Sequence, residues 1–226
     1  MTWGRQRPYG RRLELIGGKG VFPARNYLEE LMQSIKKAET AGAKPTAGEH
    51  VLLNAAPHRK GATYMTKVLF VCMGNICRSP MAQGVFSKMV ADAGLESGVQ
   101  VASAGTHAYH VGEPPDARAV QAAKRRGVEI GDWRARQVTQ DDFRDFDLIL
   151  AMDWENLALL QQQCPRAHKH KLHLLMRFAG EHDAATVPDP YYGGPEGFNT
   201  VLDYVEDACQ GLIEVVRKRA TMYAAA

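Results

Sequence analysis

Apolar and polar positions fall into blocks along this chain, and the period of each block marks an element. The first strong block is Val68-Leu69-Phe70-Val71-Cys72, an unbroken apolar run between Lys67 and the turn residue Gly74. Such a run, closed by a turn signal, predicts a strand buried on both faces. The pattern restarts at Ser79-Pro80 with helical spacing: Met81, Val85, Met89 and Ala93 share one stripe, with Lys88 and Asp92 off it. Ser before Pro predicts a helix start, Ser79 capping a free N–H and Pro80 presetting the first turn. Residues 99–104 read as a second strand, and Pro114-Pro115-Asp116 opens a helix that runs through Val120 and Ala123 to a C-cap at Gly127. Residues 147–152 make a third strand, followed by a helix carrying Leu157, Leu159 and Leu160; residues 171–175 make a fourth. The last helix, about residues 196–220, carries Phe198, Val201, Leu202, Val205, Cys209, Leu212 and Val216 at helical spacing. Strands alternating with helices predict an α/β fold, a four-stranded parallel sheet with helices on both faces. Ligands of such sheets bind at the carboxyl edge of the strands, where the first strand delivers Cys72.

Charge divides the chain. Residues 1–66 hold 11 Lys/Arg against 5 Asp/Glu, whereas residues 67–226 hold 17 against 20. The mildly acidic larger part does not indicate nucleic-acid binding. Residues 1–64 have one helical patch, 26–41, where Tyr27, Leu28, Leu31 and Ile35 form a stripe; the rest lacks hydrophobic period. We read residues 1–64 as a poorly ordered basic extension, or as lying upstream of a true start at Met65, and residues 65–226 as the domain. A presequence should be rich in Ser and poor in acids, but only Ser34 occurs, and Glu29 and Glu30 sit inside the patch. Secretion or organelle targeting through the extension is disfavoured but left open. No apolar run approaches the length of a membrane span. The four cysteines (72, 77, 164 and 209) lack the spacing of a zinc site or a disulfide framework, which suits a reducing cytoplasm and predicts neither metal nor cofactor.

Strand, tight loop and helix together predict an anion cradle. Amides of Met73, Gly74, Asn75, Ile76 and Cys77, wrapped above a helix start, would point inward with the helix dipole behind them. Arg78 offers a planar fork suited to two phosphate oxygens. Cys72 at the base would be held as thiolate, the nucleophilic form, beneath a bound phosphoryl group. The bare Cys-x5-Arg pattern by itself reads better as a buried cysteine beside a surface arginine; the strand, Gly-Asn and Ser-Pro around it favour the cradle. Farther on, Val187-Pro188-Asp189-Pro190-Tyr191-Tyr192-Gly193-Gly194 describes a stiff, exposed loop around a lone acid, which by itself reads as a surface turn.

Cys72-Met73-Gly74-Asn75-Ile76-Cys77-Arg78-Ser79-Pro80 resembles the signature loop of the low-molecular-weight protein tyrosine phosphatases, and Asp189-Pro190-Tyr191-Tyr192 resembles their Asp-Pro-Tyr-Tyr motif. The resemblance spans about residues 65–219 and implies a flavodoxin-like sheet. It implies hydrolysis of phosphotyrosine and aryl phosphates through a cysteinyl-phosphate. Cys72 would be nucleophile, Arg78 phosphate ligand, and Asp189 general acid and then base. Tyr191 and Tyr192 would wall the substrate cleft, Tyr109 would stack on the substrate ring, and Ser79 would hydrogen-bond the thiolate. Asn75 would shape the loop and reach Ser103, and Cys77 would be a redox partner of Cys72. The implied partners are phosphotyrosine proteins, including a cognate tyrosine kinase, for a monomer or weak homo-oligomer. One departure stands out: Trp133 replaces a histidine of the animal members' supporting network, which leaves Asp153's structural role open as well. Thiol-dependent arsenate reductases share this loop but need a downstream cysteine pair close in sequence, and Cys164 and Cys209 are far apart. A non-catalytic phosphotyrosine-binding module is the other alternative; it would have lost the nucleophile or the acid, and both are present.

Overall fold

The computed structural model describes residues 65–224, so the helical patch at 26–41 and the rest of residues 1–64 lie outside the described part. Strand β1 (Thr66–Cys72) sits inside a four-stranded sheet, between β2 (Val99–Gly105) and β3 (Leu148–Ala151). Strand β4 (Leu172–Leu174) pairs with β3, all pairs are parallel, and the order is β2-β1-β3-β4. Every strand stands where the apolar pattern predicts it, within one or two residues at its ends.

The unbroken apolar run of β1 is explained by cover on both faces. Val68 and Phe70, with Leu148 and Leu150, pack under helices α1 (Arg78–Asp92), α2 (Ala117–Arg125) and α5 (Pro195–Ala224). Met81 and Val85 of the predicted α1 stripe are buried there, as are Phe198, Val201, Val205 and Leu212 of α5. Leu69 and Val71, with Ile149 and Ala151, face the other way, under α3 (Gln140–Asp145) and α4 (Trp154–Gln163), whose Phe143, Leu157 and Leu160 close that layer. Arg126, just past α2, ties that helix to α5 through Asp203 and Glu206, each at 2.6 Å. Gly127 has φ +72°, the left-handed C-cap expected of it.

Two differences from the sequence reading have physical causes. Helix α1 begins two residues earlier than predicted, with Cys77 rather than Ser79 in the N-cap position and no side-chain cap. Ser79 is therefore no cap, because its hydroxyl turns inward to the Cys72 sulfur. Helix α3 was not predicted. At six residues it is too short to show a hydrophobic period, and it stands on a capping box between Thr139 and Asp142.

Candidate active site

The loop from Met73 to Cys77 leaves the carboxyl end of β1 and turns into α1. Asn75 makes the turn possible with φ +58°, a left-handed value that Asn tolerates better than most residues. Its backbone N–H donates to Cys72 Sγ at 3.3 Å. Ser79 Oγ lies 3.0 Å from the same sulfur and so meets it from the α1 side. The nucleophile candidate is buried at 3% exposure, in contact with one loop amide and one hydroxyl.

A second layer fixes those two contacts. Asn75 Nδ2 donates to Ser79 Oγ at 2.9 Å and to Ser103 Oγ at 2.8 Å, and the Asn75 carbonyl oxygen accepts from the Arg136 backbone N–H at 3.0 Å. Ser103 in turn donates to Gln83 Oε1 at 2.7 Å. This network ends on Gln83, with no histidine among its described members, and Trp133 packs against the core instead. Trp133, Pro80, Gln83 and Ser103 line a half-open cavity of ≈ 200 Å³ behind the loop. The turn after β2 braces the loop from above: Thr106 and His107 N–H donate to the carbonyls of Cys72 and Met73. Glycine at 105 lets the chains approach so closely, since a Cβ there would stand 2.7 Å from the Met73 carbonyl oxygen.

Arg78 is 3% exposed and its guanidinium is fully engaged on one side. Nη1 donates to Asp153 Oδ2 at 2.6 Å and to the Val187 carbonyl at 3.2 Å; Nη2 donates to Asp189 Oδ2 at 2.8 Å. Burial works against its charge, but Cys72, Asp189 and Asp153 outweigh burial and hold its pKa above the ordinary arginine value. Asp153 thus has a definite role. Its Oδ2 steers Arg78 while its Oδ1 accepts the Asn156 N–H and caps α4.

Asp189 stands on the exposed loop expected of it, 42% exposed, with Oδ1 accepting the Tyr191 N–H at 3.1 Å. Val187 anchors the loop's start, its N–H donating to the Met152 carbonyl at the end of β3. Arg118, paired with Asp116, holds the loop's far end through the Tyr191 and Gly193 carbonyls and lies over the Tyr191 ring. Tyr191 and Tyr192 meet edge to face at 5.0 Å; Tyr191 is 38% and Tyr192 97% exposed. Tyr109 is 72% exposed and stacks on His107 at 5.1 Å. The next residue, His110, packs on Gly74, where a Cβ would stand 2.8 Å from its ring, and it also faces Tyr191.

Burial, with Asp116 and Cys72 adding to it, pushes the Cys77 thiol far up, so it stays protonated. Ile76 is buried and Met73 and Gly74 partly so, while the Ile76 carbonyl accepts the Asp116 N–H. The structure therefore gathers Cys72, Asn75, Arg78, Ser79, Ser103 and Asp189 around one sulfur and one guanidinium. The sequence reading did not find Gln83, Arg136, Arg118 or the Val187 carbonyl. Arg136 and Val187 act through their backbone groups, which leaves no side-chain signature, and Arg118 grips backbone carbonyls far away in sequence. Among the described residues no cluster of His, Cys, Asp and Glu has the makeup of a metal site.

A sulfur held by an amide and a hydroxyl, beside an arginine shared by two carboxylates, at the carboxyl edge of a parallel sheet, defines a cysteine-dependent phosphate-ester hydrolase. The family model for low molecular weight phosphotyrosine protein phosphatase matches residues 67–222, and the chain belongs to that family. It is 44% identical over 153 residues to a Synechocystis sp. protein assigned to the low molecular weight protein-tyrosine-phosphatases, covering 67% of this chain and 97% of the relative. Against the Bacillus subtilis low molecular weight protein-tyrosine-phosphatase YfkJ it is 38% identical over 154 residues, 68% of this chain and 97% of that one. Among solved structures, a protein tyrosine phosphatase from Entamoeba histolytica with Hepes in its active site superposes with a TM-score of 0.66. That match is 42% identical and covers 68% of this chain and 97% of the other. The fold class and the resemblance read from the sequence are thereby borne out.

Proposed function

We propose that this chain is a protein-tyrosine phosphatase that hydrolyses phosphotyrosine in proteins through a cysteinyl-phosphate on Cys72. The observation that carries the reading is the pair of contacts on Cys72 Sγ, from the Asn75 amide and the Ser79 hydroxyl, directly beside Arg78. Arg78 and the inward amides take the equatorial phosphate oxygens and the charge that grows on them. The sulfur attacks phosphorus in line, the S–P bond forms, and the ester P–O bond breaks. Asp189, protonated, gives its proton to the departing phenolate. As carboxylate it then takes a proton from the water that attacks phosphorus, and the sulfur leaves as thiolate, eased by the Ser79 hydroxyl. Tyr191, Tyr192 and Tyr109 supply the aromatic sides between which the phenyl ring lies.

Residues 65–226 carry this activity, on phosphotyrosine proteins that include a cognate tyrosine kinase. The chain works in the cytoplasm, where a thiolate survives. No helix among the described residues is long and apolar enough to cross a membrane. Arsenate reduction is disfavoured because Cys164 and Cys209, the only other downstream thiols, are buried at 4% and 0%, one just past the end of α4 and the other within α5.

Asp189→Asn tests the acid role. Formation of the cysteinyl-phosphate from aryl phosphates with poor leaving groups, read as kcat/KM, should slow about 10²–10⁴-fold, the range expected of a general acid. Good leaving groups, which depart without protonation, should lose far less. An equal loss across a leaving-group series removes Asp189 from the role.

A further inference from the structure

Among the described residues six large apolar side chains are exposed: Met65, Tyr109, Val111, Trp154, Tyr191 and Tyr192. Met65 precedes β1, at the edge of the sheet away from the catalytic loop. The other five gather at the opposite edge. Tyr109 and Val111 flank His110, which packs on Gly74 of the loop, and Tyr191 and Tyr192 follow Asp189. Trp154 follows Asp153, whose carboxylate grips Arg78.

The tyrosines have a reading in the cleft, but Trp154 has none so far. It is 61% exposed, makes no ring contact among the described residues, and occupies the first position of α4. A helix gains nothing from an indole there: Trp is a mediocre helix former, and the dipole favours an acid, which Glu155 supplies. Helix side chains lean toward the N-terminus. The Trp154 side chain therefore leans toward the start of α4, the end at which Asp153 holds Arg78. The charged groups of the same rim are already paired: His110 with Glu113 at 2.7 Å, Arg118 with Asp116 at 2.8 Å, and Asp153 and Asp189 both with Arg78. The rim thus offers a protein substrate apolar surface and few free charges. Exposed apolar groups concentrated in one place mark a binding surface more reliably than scattered ones.

We infer that Trp154 is a specificity-determining residue, the wall of a subsite that receives an apolar side chain next to the phosphotyrosine of a protein substrate. The inference rests on the phosphotyrosine reading of the site. The phosphate cradle fixes the phosphotyrosine, and the Tyr191–Tyr192 loop covers one side of it. A neighbouring Leu or Phe then falls against the indole on the Asp153 side and is removed from water there.

Phosphate release from two phosphotyrosine peptides, identical except for Leu or Ser at both positions adjacent to the phosphotyrosine, tests this. The wild type should show kcat/KM about tenfold higher for the Leu peptide, which corresponds to ~1.4 kcal/mol. Trp154→Ala should bring the two values together, and Trp154→Phe should keep part of the preference. A wild-type ratio near one, or a ratio unchanged in Trp154→Ala, overturns the proposal. So does an equal loss on both peptides and on p-nitrophenyl phosphate, which would mean that Trp154 merely holds Asp153 in place. If the wild type cleaves p-nitrophenyl phosphate but neither peptide, the phosphotyrosine reading fails, and this inference with it.

Discussion

Asp153 is where the structure asks most of a single side chain, and its two oxygens do separable jobs. Oδ2 accepts from Arg78 Nη1 at 2.6 Å, and Oδ1 accepts the Asn156 N–H at 2.7 Å as the cap of α4. Asp153→Ala removes both. A hydrogen bond to a charged group contributes about 1.5–3 kcal/mol, and Asp153, 25% exposed, belongs at the low end. At ~1.4 kcal/mol per tenfold, losing this hold on Arg78 should lower kcat/KM on an aryl phosphate roughly 10–30-fold. Loss of the cap costs a further ~1 kcal/mol of stability, a fall of about 2–4 °C in Tm for a domain of this size. Asp153→Asn separates the two effects: Asn caps as well as Asp, so Tm should stay near wild type. The weaker, neutral bond to Arg78 should still raise the inhibition constant of inorganic phosphate and lower kcat/KM. Steady-state kinetics, phosphate inhibition and thermal unfolding on the three proteins decide the matter. If Asp153→Asn matches the wild type in kinetics and phosphate affinity, Arg78 is held well enough by Val187 and Asp189. The positioning role of Asp153 would then be wrong.

Two further outcomes follow from groups the catalytic steps do not use. His173 on β4 is 4% exposed, and neither ring nitrogen has a hydrogen-bond partner among the described residues. Burial, with Arg177, Arg219 and His170 adding to it, pushes its pKa down to about 3. Because the folded value lies below the unfolded ~6.5, the unfolded chain takes up the proton first, and stability falls as pH drops from about 6.5 toward 3. At pH 5 the loss is about 2 kcal/mol, so His173→Leu should flatten the fall in Tm between pH 7 and pH 5 relative to wild type; parallel curves would contradict this. A redox partnership of Cys77 with Cys72, implied by the family resemblance, makes a second prediction. Peroxide should oxidise Cys72 to the sulfenic acid, which the Cys77 thiol then converts to a disulfide with release of water. Dithiothreitol should restore the wild type, whereas Cys77→Ser should be inactivated largely irreversibly. Peptide masses showing added oxygen on Cys72 with Cys77 still alkylatable would leave Cys77 only its packing role.

What the sequence made legible is what it encodes locally. The apolar run of β1, the turn at Asn75 and the stripe of α1 lie within about two dozen residues, so strand, cradle and helix could be read together. The burial of Leu69 and Val71 on one face and Val68 and Phe70 on the other follows from that run alone. Asp189 was visible only as an acid between prolines, and its role came from resemblance. The contacts that complete the site span long separations or use backbone groups. Asp153 meets Arg78 across 75 residues, and the Arg136 amide meets Asn75 across 61. Periodicity carries no information about either. Ser79 was misread as a cap because Ser-Pro is a helix-start signal, whereas here its hydroxyl has a sulfur to bind.

The central claim is that Cys72 carries the phosphoryl group during turnover. The direct measurement is rapid chemical quench of the enzyme during hydrolysis of a phosphotyrosine peptide, followed by mass spectrometry of the fragment spanning Cys72 and Arg78. The account predicts one phosphate on Cys72 within the first turnover, absent in Cys72→Ser. Steady turnover with Cys72 never phosphorylated, or a Cys72→Ser protein that turns over at the wild-type rate, would contradict it.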